Sequence, residues 1–219
     1  MTLKLYGHPF SSYCQKVLIA LYENETPFEF RILAPGDQQA AAELAALWPF
    51  KKMPVLVDGD RTVVETSIII EHLGLRYPGP VRLIPSDAQV ALEVRMMDRF
   101  FDLYVMTPMQ KLVFDSLRAP ADRDPAGVVD ARAMLDSAYG WLDGVMAERR
   151  WAAVSAFSLA DCAAAPALFY ADWVHPIGEA FGHVCAYRQR LLERPSFARA
   201  VNEARPYRPL FPLGAPDRD

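Results

Sequence analysis

Alternating apolar and polar residues open the chain in two short runs, with one helical stripe between them. Residues 3–6 and 28–32 alternate with the period of two that predicts a β-strand. From Cys14 to Leu21, apolar residues recur at i, i+3, i+4 and i+7, which is one face of an α-helix. Because a helix connects the two strands, we expect them to pair in parallel.

The pattern continues to residue 77 with a helix, a hairpin and a second helix. An alanine-rich stretch over 40–47 indicates a short helix, and residues 54–58 and 62–65 have the composition of strands. An Asp-Gly-Asp turn joins these two strands as a hairpin, which is antiparallel. A helix is expected to begin at Thr66 and to end near Tyr77. The four strands should therefore form a mixed sheet.

A Tyr-Pro-Gly-Pro sequence at 77–80 marks the best domain boundary, because everything after it has helical periodicity. Apolar stripes over 90–104 and 128–145 predict two long helices that pack as in a bundle. Ser158 and Asp161 have the spacing of a capping box and should begin another helix. The proline-rich tail from Arg205 is not expected to be helical.

These patterns predict an α/β domain over residues 1–79, a linker over 80–85 and an all-helical domain over 86–219. Composition then excludes several function classes. The net charge of -4, without a clustered basic patch, gives no footprint for nucleic acid. No apolar run approaches the ~20 residues that a membrane span needs.

The beginning of the chain lacks the basic and apolar regions of a secretory signal, and it carries three widely spaced cysteines. An odd number of cysteines without an export signal indicates reduced thiols. We therefore expect a cytoplasmic protein. The histidines and cysteines do not fall at the spacing of metal ligands, so no metal site is expected.

Four local motifs, each weak alone, occur together in one order along the chain. They are Ser11-Ser12-Tyr13-Cys14, Lys52-Met53-Pro54-Val55, Glu65-Thr66, and the capping box Ser158 to Asp161. Together they resemble the cytosolic glutathione transferases, and specifically the serine-type zeta and theta-like classes and their bacterial members. The resemblance covers essentially the whole chain. It implies a thioredoxin-like N-terminal domain before the helical bundle, glutathione as co-substrate, and a homodimer with the site near its interface.

The serine pair stands where a thiol-activating hydroxyl is needed. Glutathione reacts as its thiolate, and an ordinary thiol has a pKa of about 8.5, so little of it is ionised at neutral pH. A helix N-terminus offers unpaired N–H groups and a positive dipole end, and a hydroxyl there can donate to sulfur. The resemblance aligns Ser11 with the catalytic serine and leaves Ser12 as the alternative. Either serine could instead only cap the helix.

The other motifs supply the expected glutathione contacts. The resemblance implies that Lys52, or its neighbour Lys51, binds the glycine carboxylate. It implies a cis peptide bond before Pro54, with the backbone of Met53 pairing with the cysteinyl unit of glutathione. Glu65 would pair with the γ-glutamyl ammonium group, and Thr66 would hold the γ-glutamyl carboxylate. Thr66 departs from the usual serine but keeps the hydroxyl.

The electrophile should bind against the helical domain. Apolar and methionine side chains suit an adaptable pocket, although helical stripes of this kind are often core. The expected lining residues are Tyr104, Met106, Met109 and Trp173.

Three further side chains near the serines have weaker roles. Tyr6 stands where tyrosine-type transferases carry their activating hydroxyl, but it also suits the core. Cys14 could form a mixed disulfide with glutathione, although it more simply packs in the first helix. His8 could contact the glycine end of glutathione or remain a loop histidine.

The leading function is the transfer of glutathione to a small hydrophobic electrophile. A glutathione-dependent isomerase or dehalogenase is the second enzymatic hypothesis, because serine-type classes include both. A non-catalytic glutathione-binding partner protein and a thiol reductase that uses Cys14 are the remaining alternatives.

Overall fold

The computed structural model of the chain describes residues 3–219 and begins with a four-stranded mixed sheet. The strands are β1 (Leu3–Gly7), β2 (Phe28–Ile32), β3 (Val55–Asp58) and β4 (Arg61–Val63), in the spatial order β2-β1-β3-β4. β1 pairs in parallel with β2 and antiparallel with β3, which pairs antiparallel with β4. The predicted sheet is confirmed; Met1 and Thr2 lie outside the described residues.

Side chains cap two of the three helices of this first domain. They are α1 (Ser12–Glu23), α2 (Gln38–Leu47) and α3 (Thr66–Arg76). The Ser11 hydroxyl accepts the N–H of Cys14 at the start of α1, and the Asp37 carboxylate accepts the N–H of Ala40 at the start of α2. Such caps satisfy N–H groups that have no partner within the helix. α1 is almost fully buried, because α3 packs against it from its own domain and α7 and α9 from the helical domain.

The second domain is helical, as predicted. Its α-helices are α4 (Ala88–Phe100), α5 (Thr107–Ser116), α6 (Pro125–Ala147), α7 (Leu159–Val174), α8 (Gly182–Leu192) and α9 (Pro195–Ala204). The tail corrects one expectation, because residues 205–210 form a short 3-10 helix despite their two prolines. Proline has its fixed φ in the helical range, and a short helix has few N–H bonds to lose. Among residues 3–219, no helix is both long and apolar enough to cross a membrane.

A π-helical segment, Phe101–Met106, joins α4 to α5 without an intervening loop. The N–H of Thr107 donates to the carbonyl of Asp102, five residues earlier, which is the π-helical spacing. The wider turn rotates the residues that follow it. Phe101 stays buried in the predicted stripe, whereas Tyr104 is exposed and Val105 is buried in its place.

α7 forms the centre of the helical domain, and its first turn carries the predicted capping box. The buried carboxylate of Asp161 accepts the backbone N–H of Ser158 at 2.9 Å and its hydroxyl at 3.0 Å. It also accepts the N–H of Ala152 at 2.9 Å and the hydroxyl of Tyr187 at 2.6 Å. One side chain therefore joins the start of α7 to the preceding loop and to α8.

Replacing Asp161 with alanine should destabilise the fold by about 3 kcal/mol, because it leaves several buried donors without an acceptor. Urea denaturation measures the change. Asp130→Ala removes an exposed carboxylate from α6 and should stay within about 0.5 kcal/mol of the unsubstituted protein. Equal stability of the two variants would contradict this role for Asp161.

Candidate active site

A cleft of about 640 Å³ lies between the sheet domain and the α4–α5 side of the helical domain. Both domains contribute polar and apolar side chains to the cleft; in the helical domain and the tail the polar ones are Arg99, Asp102, Thr107 and Gln110, and the apolar ones are Leu103, Phe114 and Leu210. The polar lining residues of the first domain include Ser11, Tyr13, Lys51, Lys52, Glu65 and Thr66. We call these residues the polar wall, and we call the group formed by Phe10, Leu103, Phe114 and Leu210 with their neighbours Thr107 and Gln110 the apolar wall. Polar and apolar surface in one cleft suits a peptide-like ligand next to a hydrophobic one.

Ser11 and Ser12 occupy different environments. Ser11 is half-buried, lines the cleft and precedes the first residue of α1 with extended backbone angles. Its oxygen accepts the N–H of Cys14 at 3.4 Å through a lone pair, so the hydroxyl hydrogen remains available to another acceptor. Ser12 is buried and is not part of the cleft lining. The cap and a donor role in the cleft are compatible at Ser11.

The segment before β3 forms a second part of the polar wall. The Met53–Pro54 peptide bond is cis, as the resemblance implied, and both residues line the cleft. Pairing between β1 and β3 begins at Val55, so the backbone of Met53 lies beyond the paired register. Lys51 and Lys52 are exposed at the same rim. This segment therefore brings two ammonium groups close to an extended stretch of backbone.

Glu65 and Thr66 form the third part of the wall, at the start of α3. Glu65 has φ 68° and ψ 121°, a sparsely populated conformation for a residue with a side chain. Its carbonyl accepts the N–H of Ile69 and so opens the helix, and the buried Thr66 follows as its first residue. The N–H groups of this first turn create a place for an anion at the cleft.

Behind this wall lies a buried cluster of charges that sequence analysis missed. Lys16 of α1 is 1% exposed, and its Nζ lies 2.6 Å from Asp98 Oδ1 and 2.9 Å from Asp102 Oδ2. Lys16 also donates to the hydroxyl of Ser67 at 3.2 Å, and Ser67 donates to Asp98 at 2.6 Å. The cluster joins α1, the first turn of α3 and the α4 region.

Arg99 completes the cluster on the cleft side. Its guanidinium donates to Ser67 at 2.8 Å, pairs with Asp98 at 3.1 Å and contacts Asp102. Arg99 and Asp102 both line the cleft. Burial raises the pKa of Asp102, and the charge of Lys16 opposes that rise. The positive charges of Lys16 and Arg99 therefore balance the two carboxylates of Asp98 and Asp102 beside the polar wall.

The signal for this cluster is present in the sequence. Lys16 falls within the buried stretch of α1, and Asp98 and Asp102 are four residues apart on the next domain's first helix. Charged residues are almost never fully buried without partners, so a lysine there predicts carboxylates nearby.

The residues predicted to line the electrophile pocket lie outside this cleft. Met106 and Met109 are buried in the helical core, Tyr104 is exposed beside Phe100, and Trp173 lies behind Phe10. None of these four belongs to the cleft lining. The side chains of the apolar wall are Phe10, Leu103, Thr107, Gln110, Phe114 and Leu210.

Tyr6, Cys14 and Tyr13 lie close to Ser11 in the sequence, but they differ in their access to the cleft. Tyr6 packs in the sheet against Leu44 and Val55, and is not part of the cleft lining. Cys14 is 0% exposed, and burial raises its pKa to about 11, so its thiol cannot meet a ligand in the cleft as a thiolate. Tyr13, whose role sequence analysis did not weigh, does line the cleft, and burial raises its pKa to about 12. In residues 3–219, no cluster of three or more acidic, histidine or cysteine side chains could hold a metal ion.

Two family models match the chain. The N-terminal domain of glutathione S-transferase matches residues 5–81, and the C-terminal domain of the same family matches residues 105–195. The chain belongs to the glutathione S-transferase family. A glutathione S-transferase 3 from Zea mays is 31% identical over 211 residues, which cover 91% of this chain and 93% of that protein.

Other relatives of this transferase-family chain carry different names. A probable maleylacetoacetate isomerase from Vibrio cholerae is 26% identical, covering 94% of this chain and 98% of that protein. A stringent starvation protein A homolog from Coxiella burnetii is 25% identical, covering 92% of each. A glutathione S-transferase from Methylobacterium radiotolerans, solved with glutathione sulfonate, is 28% identical with a TM-score of 0.79, covering 92% of this chain and 95% of that one.

Replacing Lys16 with methionine should destabilise this transferase-family chain by about 3–5 kcal/mol, because it leaves a buried carboxylate without its partner. Adding Asp98→Asn to the variant restores the charge balance and should recover more than half of the loss. Thermal and urea unfolding measure both changes. Lys4→Met, which removes an exposed ion pair with Glu29, is the control and should leave stability nearly unchanged. A Lys16→Met variant as stable as this control would contradict the buried pairing.

Proposed function

We propose that this protein conjugates the thiolate of glutathione to a small hydrophobic electrophile, and that Ser11 stabilises the thiolate. The observation that carries the proposal is the position of the Ser11 hydroxyl. It lies at the start of α1 in the same cleft as Met53, Glu65 and Thr66, with its hydrogen available for donation. The relative solved with glutathione sulfonate supports glutathione as the ligand of such a cleft.

Glutathione would occupy the polar wall in an extended conformation. Its γ-glutamyl carboxylate would bind at the first turn of α3 through Thr66, and its ammonium group would pair with Glu65. The cysteinyl unit would pair with the backbone of Met53, in the manner of an added strand. Lys52, with Lys51 beside it, would bind the glycine carboxylate. This arrangement places the sulfur toward α1.

One hydrogen bond from the serine, together with the helix dipole, can supply the free energy that thiolate stabilisation requires. Lowering the thiol pKa by about 2 units requires roughly 2.7 kcal/mol of preferential thiolate stabilisation. One charge-assisted hydrogen bond of about 1.5–3 kcal/mol and a helix-dipole contribution of about 0.3–1 kcal/mol together supply that amount. The thiolate then attacks the electrophilic carbon and forms the sulfur–carbon bond. In a substitution, the leaving group departs with the electron pair of the bond that breaks. In an addition, the π electrons move to the neighbouring atom, which then takes up a proton.

The electrophile would lie against the apolar wall. Phe10, Leu103, Phe114 and Leu210 offer aromatic and branched surfaces, and Gln110 offers one amide for orientation. These apolar side chains favour a hydrophobic electrophile, and Thr107 and Gln110 offer polar groups beside them. Reduced glutathione and three free cysteines are consistent with a cytoplasmic location.

The direct test is a titration of bound glutathione by thiolate absorbance. In the unsubstituted protein we expect a thiol pKa about 2 units below the free value. Ser11→Ala should return the pKa toward the free value. At a pH below the pKa of bound glutathione it should lower kcat/KM by about 10²-fold, since the thiolate fraction there falls tenfold for each unit of pKa.

Ser12→Ala is the matched control, because it removes a neighbouring hydroxyl that is not part of the cleft lining. It should leave the thiol pKa unchanged if Ser11 is the activator. A pKa that stays low in Ser11→Ala but rises in Ser12→Ala would reverse the assignment. If glutathione does not bind to the unsubstituted protein, the enzymatic proposal fails.

The isomerase relative supports a second candidate function, a glutathione-dependent isomerisation in the same cleft. Such a reaction would add the thiolate to a double bond and later expel it, so glutathione would be regenerated. Product analysis separates the two functions. Conjugation consumes glutathione in proportion to product, whereas isomerisation leaves its concentration unchanged.

A non-catalytic partner protein is a further alternative, and one relative, a stringent starvation protein A homolog, is not named a transferase. A protein of this kind would bind glutathione poorly or without a change in its thiol pKa. The titration above therefore separates this alternative from both enzymatic functions.

We also propose a homodimer that forms through the outer face of α3 and α4. Leu92 and Met96 stand one helical turn apart on α4 and are exposed, as are Ile68 and Leu75 on α3. Leu103 is exposed as well. It lies in the π-helical segment that continues α4, and it lines the cleft. Exposed apolar patches of this kind mark association surfaces, and a second copy would bury the same patch on both chains.

Replacing Met96 with glutamate should convert the dimer into a monomer, because each interface would bury two charges without partners. Sedimentation velocity measures the mass against that of one chain. Val129→Glu places the same charge on an exposed apolar position of α6 and should leave the dimer intact. A monomeric unsubstituted protein, or a Met96→Glu dimer, would contradict this interface.

A further inference from the structure

The loop between β1 and α1, His8–Ser11, delivers the Ser11 hydroxyl to the cleft, and side chains hold most of its backbone. The carbonyl of Pro9 accepts the amide of Gln15 at 3.0 Å, and that of Phe10 accepts the hydroxyl of Tyr170 at 3.1 Å. The carbonyl of His8 accepts the N–H of Ser11 at 3.0 Å. The shape of this loop therefore fixes where the hydroxyl of Ser11 can point.

His8 is the residue that closes this loop on itself. Its backbone N–H donates to the sulfur of Cys14 at 3.4 Å, and its Nδ1 accepts the N–H of Phe10 at 3.2 Å. Proline has no N–H, so the N–H of Phe10 is the loop donor that lies between those of His8 and Ser11. This hydrogen bond is partly buried, and an N–H shielded from water costs free energy when it loses its acceptor, so the imidazole supports the observed loop conformation.

The environment of the His8 imidazole favours the neutral ring, which can accept this hydrogen bond. His8 is 8% exposed and its ring lies 4.5 Å from that of Tyr207 in the tail, nearly edge to face. Burial lowers the pKa of His8, which favours the neutral ring. Because Nδ1 accepts a hydrogen bond, a neutral ring carries its proton on Nε2.

We propose that His8 is a positioning residue for Ser11, acting through the hydrogen bond that its Nδ1 accepts from the N–H of Phe10. The imidazole holds the loop so that the Ser11 hydroxyl points at the thiolate. The inference rests on the proposed function, since it gives His8 a role only if Ser11 is the activating serine. It goes beyond that function by assigning the geometry of the hydroxyl to a residue outside the reaction.

The test compares three substitutions of His8 that differ in where, or whether, they place a hydrogen-bond acceptor. His8→Asn retains an oxygen at the position of Nδ1, His8→Gln places its amide near the position of Nε2, and His8→Leu retains neither. We expect His8→Leu and His8→Gln to raise the pKa of bound glutathione by about one unit and, at a pH below that pKa, to lower kcat about tenfold. His8→Asn should stay within about threefold of the unsubstituted protein. His8 also lines the cleft, so equilibrium binding of glutathione separates a positioning role from a direct contact. If His8 only positions Ser11, the Kd for glutathione should change little, and a large rise of the Kd would assign His8 to binding instead.

A double substitution shows whether His8 acts through Ser11. In a Ser11→Ala background, His8→Leu should cause little further loss, because the hydroxyl it positions is gone. Circular dichroism and the melting temperature identify variants that fail to fold, and the Asn and Gln variants, which carry the same amide, remain comparable if Leu does fail.

Three further results would overturn the proposal. The first is rescue by Gln but not by Asn, which would assign the effect to Nε2. The second is equal activity, or equal loss, in all three folded variants. The third is an additive effect of His8→Leu in the Ser11→Ala background. If Ser11→Ala itself leaves the thiol pKa unchanged in otherwise unsubstituted protein, the proposed function has failed instead.

Discussion

The buried pairing of Lys16 with Asp98 and Asp102 is the constraint on which the site depends. A lysine inside a protein requires nearby carboxylates, because an isolated buried charge is far too costly. The lysine comes from the first domain and both carboxylates from the α4 region of the second. The pairing therefore fixes one domain against the other at the place where the cleft lies between them. Ser67, one residue after Thr66, joins the start of α3 at the cleft to the same cluster.

The π-helical turn at Phe101–Met106 fits this picture. It lies beside the charged cluster, and Asp102 both pairs with Lys16 and supplies the carbonyl that closes the wider turn. The same turn directs Leu103 to the apolar wall of the cleft. Such insertions in α-helices are frequent at functional sites, where they direct side chains that a regular helix would place elsewhere. Here one irregularity serves the domain contact and the ligand cleft together.

Local chemistry made the fold predictable. Period-two alternation identified the strands, and Ser11 and Asp161 cap helices through contacts within three residues, so short segments of sequence contain them. The residues of the polar wall could also be predicted, because Met53, Glu65 and Thr66 lie in local motifs and line the same cleft. The apolar wall could not, since a π-helical turn has no composition of its own. Its insertion shifted the lining from Tyr104 and Met106 to Leu103 and Thr107. The role of Lys16 was also missed, because its partners lie more than 80 positions away.

The central claim is that the Ser11 hydroxyl meets the sulfur of glutathione in this cleft. A crystal structure of the protein with glutathione measures this most directly. The account predicts the sulfur within hydrogen-bonding distance of Ser11 Oγ, with the γ-glutamyl group at Glu65 and Thr66. A sulfur that contacts Tyr13 instead, or glutathione bound outside the cleft, would contradict it.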